Sequence, residues 1–545
     1  MGAATAEIGA GPRRDMTVAA LRVAVVALVL AALATPAIAT VTGLREFGLV
    51  NGDEAVAALL PHEFAHGTPS VLFPGNAYQG VLELPAYAVL WVAAGADLLP
   101  MRLLHQAIWV AAMAVWFVAA LEPARRAGSV TRRSYWWSAL VVAGLLGVTS
   151  AVGWGVWYRI YPGYQSGALL GGLAVLTALR ATRDRELARL WWWVGAGFLA
   201  GAAIYAQPMH AVATPVVMCL ALSCGRTAVV RRLAVTTVGV VVGSAPLIMW
   251  NLGHGLAILR PRGQPAVEHP EWGYADRAVG MLRTTGRVLV GRDEVPTAPL
   301  LTWAAALCVG SLVVLALWGA WALLRGSWQD RSLLVAPAAM LLGLPLLRVM
   351  SLQSDPRYAV GWWPGMVVVV AAGAAAAAGA QGASGRVLRA ALAGVVVVHL
   401  AVVATGASDL LAEQRDRPNA VEATPDLVED LRRCGVDAVW GNYWAVYPVL
   451  WASGDELQGD VTWGPERLTA FLPEEPLSLQ RIAVLLPAAM TDPAASAALA
   501  TEGTGRGAAG WLGVVDPDSG VRIALEQTVE PLPADCLGAS GLQVR

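Results

Sequence analysis

Val18–Val41 reads VAALRVAVVALVLAALATPAIATV, and Asn51-Gly52-Asp53-Glu54 comes soon after it. The first stretch is apolar over about 23 residues, enough at 1.5 Å per residue to cross a hydrocarbon layer of about 30 Å. Arg13, Arg14 and Arg22 lie at its start. Its end, Ala37-Ile38-Ala39, also fits the small-residue cleavage site of a secretory signal. More apolar runs follow, so we read it as an uncleaved first span with the N-terminus in the cytoplasm. Arg13-Arg14 alone is too little for a twin-arginine signal.

The rest of the chain supports that reading, because 57% of its residues are hydrophobic and only 14% are charged. Such a balance belongs to a polytopic membrane protein. Further spans are expected near residues 103–121, 136–153, 165–181, 190–206, 207–223, 233–250, 299–324, 332–350, 361–380 and 388–406, about eleven with the first. The chain has no lysine, so arginine alone orients them. Arg125, Arg126, Arg132 and Arg133 form one basic loop, and Arg180, Arg183, Arg185 and Arg189 a second. Arg226, Arg231 and Arg232, then Arg325 and Arg331, then Arg386 and Arg389 continue the series on what becomes the cytoplasmic side. Counting Val81–Ala96 as a span would break that alternation. It is therefore read as a helix lying along the outer membrane surface. The net charge of −1 gives no basic face for nucleic acid.

Three long regions then share the exoplasmic face: residues 43–102, residues 251–298 and residues 407–545. The middle one holds Trp272 and Tyr274 and reads as a covering loop or a linker. The last mixes a helix-like piece, Ala423–Cys434, with strand-like pieces at Ala438–Trp440, Arg481–Leu486, Gly513–Val515 and Val521–Ala524, the pattern of a small α/β domain. Gly379–Gly385 reads as a tight loop between spans. Of five cysteines, Cys219, Cys224 and Cys308 sit in apolar runs, and no metal-binding spacing occurs. Cys434 and Cys536 leave a disulfide open if their region lies outside the cytoplasm.

Asp53 and Glu54 stand where aromatic or basic residues usually flank a span. They suit chemistry, although two carboxylates also favour the positive end of the helix they begin. His62-Glu63-Phe64-Ala65-His66 fits the HExxH pattern, in which two histidines bind zinc and the glutamate activates water, with Glu83 available as a third ligand. Pro61 before it and Gly67-Thr68-Pro69 after it are expected to leave little more than one helical turn, too short to hold two ligands in register.

Gly52-Asp53-Glu54-Ala55-Val56, then Gly67, Gly75-Asn76-Ala77-Tyr78-Gln79-Gly80-Val81-Leu82-Glu83, and Leu99–Leu103 with Arg102 resemble the bacterial protein O-mannosyltransferase-like glycosyltransferases of the GT-C fold (family 39-like). Arg357-Tyr358 at a span entrance and Tyr443-Trp444-Ala445-Val446-Tyr447-Pro448 extend the resemblance toward the C-terminus. It implies an all-α polytopic membrane protein, GT-C-like over residues 1–406, with a small exoplasmic α/β domain over 407–545. It also implies transfer of a sugar from a polyprenyl-phosphate donor to a protein, lipid or glycan hydroxyl outside the membrane.

On that resemblance Asp53 is the general base and Glu54 its partner, tuning it or orienting the acceptor. Arg102 and Arg357 face the lipid phosphate. Tyr78, Gln79, Glu83 and Tyr358, with Arg159, Tyr161 and Gln165 in the next outer loop, contact sugar or acceptor, and Trp154, Trp157 and Tyr164 offer stacking surfaces. Many GT-C enzymes carry an acidic metal ligand in that loop, whereas Gly153–Gly167 has none. No cofactor is expected, and a divalent metal is doubtful, since arginines can neutralise a monophosphate leaving group. Three other classes stay open: the HExxH metalloprotease of His62, Glu63 and His66; a transporter or lipid-linked sugar flippase, whose expected ionisable groups are few within these spans; and a non-catalytic scaffold, which would leave the acidic pair and its basic partners unexplained.

Overall fold

Apolar length decides where this chain is helical, and glycine decides how closely the helices meet. The computed structural model describes residues 18–28, 52–65, 70–74, 76, 78–95, 98–126, 132–147, 160–182, 190–224, 228–259, 273–276, 279–280, 299–335, 338, 363–416, 420–454, 456–463, 482–486, 511–515, 522–526, 536 and 543–544. The helices are α1 (Val18–Leu28), α2 (Gly52–Ala65), α3 (Leu84–Ala94), α4 (Leu98–Arg126), α5 (Arg132–Gly147), α6 (Tyr164–Ala181), α7 (Leu190–Ala206), α8 (Ala213–Ser223), α9 (Val229–Gly243) and α10 (Ala245–Gly253). After them come α11 (Pro299–Arg325), α12 (Trp328–Ser332), α13 (Trp363–Gly379), α14 (Gly382–Asp416) and α15 (Ala420–Arg433). Among the described residues, three helices are long and apolar enough to cross a membrane, within α4, α11 and α14, or four if α9 and α10 count as one bent span. The expected run at 332–350 lies largely outside the described residues.

The helices pack α4 on α6, α6 on α7, α7 on α9, and α13 between α5 and α11. Two hydrogen bonds pin this bundle: Trp116 Nε1 of α4 donates to the Ala168 carbonyl (2.9 Å), and Ser138 Oγ of α5 donates to the Ala371 carbonyl (2.8 Å). The outward faces stay apolar, as with Trp303 and Leu317 on α11 and Val230 on α9, which suits contact with lipid.

Gly197 and Gly201 on α7 meet Gly239 and Gly243 on α9, two GxxxG faces in mutual contact. A Cβ at Gly201 would collide with the Val240 carbonyl, and one at Gly243 with the Phe198 carbonyl. The collision is with backbone, which has nowhere to move. Gly201→Leu or Gly243→Val is therefore expected to force α7 from α9 and to lower the thermal unfolding midpoint by several degrees or abolish folded yield. A fluorescence-detected melt of the purified protein checks this.

Two expected spans prove to be interrupted. The run 207–223 opens as a 3₁₀ turn, Pro208–Val212, before α8, because proline cannot continue the preceding helix. The run 233–250 bends by 61° between α9 and α10. There Ser244 Oγ bonds back to the Val240 carbonyl (2.7 Å), and Pro246 leaves a backbone position without a donor. A third difference concerns α2: Pro61 lies inside a 14-residue helix rather than ahead of a short one. The expected single turn around His62 was thus too short, because packing on every side overrides the proline.

Beyond α14 the chain forms β1 (Ala438–Asn442), α16 (Tyr443–Ser453), β2 (Gln458–Trp463), β3 (Ile482–Leu486), β4 (Trp511–Val515), β5 (Arg522–Glu526) and β6 (Gln543–Val544). They make one sheet of order β2-β1-β3-β5-β4-β6. β1 pairs in parallel with β2 and β3, whereas β3–β5, β4–β5 and β4–β6 are antiparallel. Parallel neighbours need a crossover, and α16 supplies it between β1 and β2 despite Pro448 within it. α16, β2 and β6 were absent from the sequence expectation; β1, β3, β4, β5 and α15 fall where it put them, with ends moved by a few residues. Cys434 and Cys536 form a disulfide.

Candidate functional site

α2 begins with Gly52-Asp53-Glu54, so both carboxylates lie in its first turn, where the unpaired backbone N–H groups favour negative charge. Their surroundings differ. Asp53 is half-buried, whereas Glu54 is fully buried. Glu54 Oε1 accepts from Arg102 Nε (3.0 Å) and from the Ile160 backbone N–H (3.0 Å), and its Oε2 accepts from Arg102 Nη2 (2.9 Å). Arg102 is itself only 3% exposed. This fork-on-fork pair ties α2 to α4 and to the segment entering α6. A glutamate and an arginine assigned separately from sequence turn out to be one ion pair.

Glu83 does the same work one layer away. It is buried at the start of α3, and its Oε1 accepts from the Gly163 N–H (2.9 Å) and from Ser166 Oγ (2.5 Å). Gly163 has φ +81°, a left-handed conformation, and a side chain there would run into the Ala206 carbonyl. Only glycine lets the loop turn toward Glu83 while α7 lies against it. Gln79 joins the same loop by donating to the Pro162 carbonyl (2.5 Å) and accepting from Asn76 Nδ2 (2.9 Å). Tyr161 and Tyr164 are buried with their rings 5.8 Å apart, and Tyr78 is half-buried.

A third strand of this network runs from Tyr87 through His105 to Gln165, all buried. Gln165 Oε1 lies 3.2 Å from His105 Nδ1, so Nδ1 carries the proton and Nε2 accepts from the Tyr87 hydroxyl. Burial, and secondarily the charge of Glu83, push the Tyr87 phenol well above its ordinary range, which keeps it a donor. Several buried atoms nearby have no hydrogen-bond partner among the described residues: Glu83 Oε2, Gln165 Nε2, both amide atoms of Gln207, and His210 Nε2. Gln207 and His210 flank the helix break at Pro208, and His210 packs on Gly167. Sequence reasoning passed over both, although two polar side chains beside a proline in an apolar run are the signal that finds such a site.

The sequence-predicted residues divide accordingly. Asp53, Glu54, Gln79, Glu83, Arg102, Tyr161 and Gln165 belong to α2, α3, α4, α6 and the loops joining them, with Tyr78 just before Gln79. Arg159, Trp154, Trp157, Arg357, Tyr358 and His66 lie outside the described residues, as does the side chain of Glu63. His62 is buried and sets its ring edge-on to Trp91, with centroids 6.4 Å apart. Among the described residues no group of three or more His, Cys, Asp or Glu could hold a metal ion.

Neither a protein-family model nor a curated protein matches this chain. Solved structures do resemble it. ArnT from Cupriavidus metallidurans in its apo state superposes over 92% of this chain and 98% of its own, with a TM-score of 0.55 at 15% identity. The same protein bound to undecaprenyl phosphate covers 91% of this chain and 97% of its own, with a TM-score of 0.51 at 16% identity. The chain thus shares the fold of ArnT almost end to end. At such identity the likeness defines the fold.

Proposed function

We propose that this protein is a membrane glycosyltransferase that moves a sugar from a polyprenyl-phosphate donor to an acceptor hydroxyl on the exoplasmic face. The observation that carries the reading is the full-length likeness to ArnT, a protein solved with undecaprenyl phosphate bound. Asp53, at the head of α2 and beside a rigid ion pair, is the base. It takes the acceptor proton as that oxygen bonds to the anomeric carbon, and the bond from that carbon to the phosphate oxygen breaks, the electron pair leaving with the lipid phosphate. Glu54 and Arg102 hold the base in place. Arg357 then becomes the leading candidate for the phosphate, with Tyr358 beside it.

Gln79, Glu83, Tyr161 and Gln165, with Tyr78 and Arg159, are assigned to contacts with sugar or acceptor. Among the described residues, Gln165 Nε2, a donor, and the Gln207 amide, a donor and an acceptor, lack partners and suit sugar hydroxyls. Residues 1–406 form the transmembrane catalytic unit and 407–545 an exoplasmic domain, with the N-terminus in the cytoplasm. Arginine neutralises a monophosphate directly, so the scheme calls for no metal.

The test is a panel of polyprenyl-phosphate sugars offered to the purified protein in lipid nanodiscs. Release of free polyprenyl phosphate from at least one donor is expected, and it should persist in His62→Ala. Release from none, by protein that melts cooperatively, overturns the reading.

A further inference from the structure

α2 is buried along almost its whole length, from Glu54 to His62, so it must be covered on every side. α3 and α4 cover one side, and α16 of the C-terminal unit packs on the other. The apolar core is continuous across that junction: Ala55, Val56 and Leu59 of α2 belong to one cluster with Leu431, Val446 and Leu450. Cys434 and Cys536 lie in the same cluster, fully buried. The bridge fastens the end of α15 to a residue near the C-terminus, 102 positions away. α15 ends there in a left-handed turn at Gly435, with the Val436 N–H bonded to the Leu431 carbonyl (3.0 Å).

We propose that the C-terminal unit is a positioning element for the acidic helix: α16 presses on α2 through Val446 and Leu450, and the Cys434–Cys536 bridge holds α16 at that height. Asp53 occupies the one half-exposed place in the first turn of a helix otherwise clamped between two units. Its orientation is therefore set jointly by the membrane bundle and by the sheet domain. Loosening the C-terminal unit frees the base without touching the donor side. The effect on turnover rests on the sugar-transfer reading, whereas the mechanical coupling does not.

Two measurements on the full-length protein in nanodiscs test this. Hydrogen exchange in residues 52–65 should become roughly tenfold or more faster in Leu450→Ala and in Cys434→Ala/Cys536→Ala, while α7 and α9 keep wild-type protection. Val446→Ala, a smaller deletion, should act in the same direction and serves if the others fail to fold, and Leu450→Met should restore protection. With an active donor from the panel, kcat should fall at least fivefold and the donor KM should stay within twofold. Faster exchange confined to residues 420–544, with 52–65 unchanged, overturns the proposal whether or not the protein transfers sugar. Loosening of 52–65 in a protein inactive on every donor sustains the coupling and removes only the glycosyltransferase reading.

Discussion

Asp53→Asn is expected to lower turnover by about 10²–10⁴ while leaving donor affinity nearly unchanged. Asparagine keeps the volume and reach of aspartate, so the first turn of α2 should persist. What it lacks is a group able to take the acceptor proton at the moment of attack. The loss should therefore appear in kcat, with the donor dissociation constant measured separately by equilibrium binding. Unchanged turnover would remove Asp53 from the mechanism; lost donor binding would make it a binding residue.

The second large effect concerns stability. Arg102→Ala takes from Glu54, in a site closed to water, its two-pronged counter-ion, and Glu54→Ala takes from Arg102 the carboxylate that both its Nε and Nη2 engage. Each is expected to cost about 3–5 kcal/mol in denaturant unfolding, because a buried charge without its counter-ion loses solvation it cannot recover. Replacing both, as Glu54→Gln/Arg102→Met, should cost far less than the sum of the single changes. The same double variant separates two roles for Arg102. If the arginine only braces α2, donor affinity survives in the folded double variant; if it also meets the phosphate, affinity falls by about 1.5–3 kcal/mol. Additive losses in stability would refute the bracing role.

Much of the architecture could be read from composition along the chain. Apolar length located α4, α6, α7, α11, α13 and α14, and alternation between strand-like and helix-like pieces located most of the C-terminal sheet. The tight loop expected over Gly379–Gly385 shrinks to Ala380-Gln381 between α13 and α14, with Gly382 and Gly385 already in α14. What escaped is what depends on distance along the chain. Nothing local says that Glu54 faces Arg102, 48 positions away, or that Glu83 reaches the Gly163 N–H, 80 positions away. Pro61 misled for a related reason: local propensity argues against helix there, as it does at Pro448 within α16, and packing of α2 against α16 outweighs it. His105 and His399, both buried within long helices, show that apolar runs conceal polar side chains that only neighbouring helices make acceptable.

The bend between α9 and α10 affects the surrounding bilayer as well as the protein. Fifteen residues before the bend give α9 an axial reach of about 22 Å, short of a hydrocarbon layer of about 30 Å. α10 turns away at 61°, with Met249 and Leu252 on its exposed side and Trp250 stacked on His254. At that angle the nine residues of α10 add about 6 Å along the axis of α9, so the bent pair as a whole comes close to the thickness of the hydrocarbon layer. A host bilayer of longer acyl chains would have to thin beside α9 and α10 to match them, so lipid chain length bears on how this edge of the protein sits in the membrane.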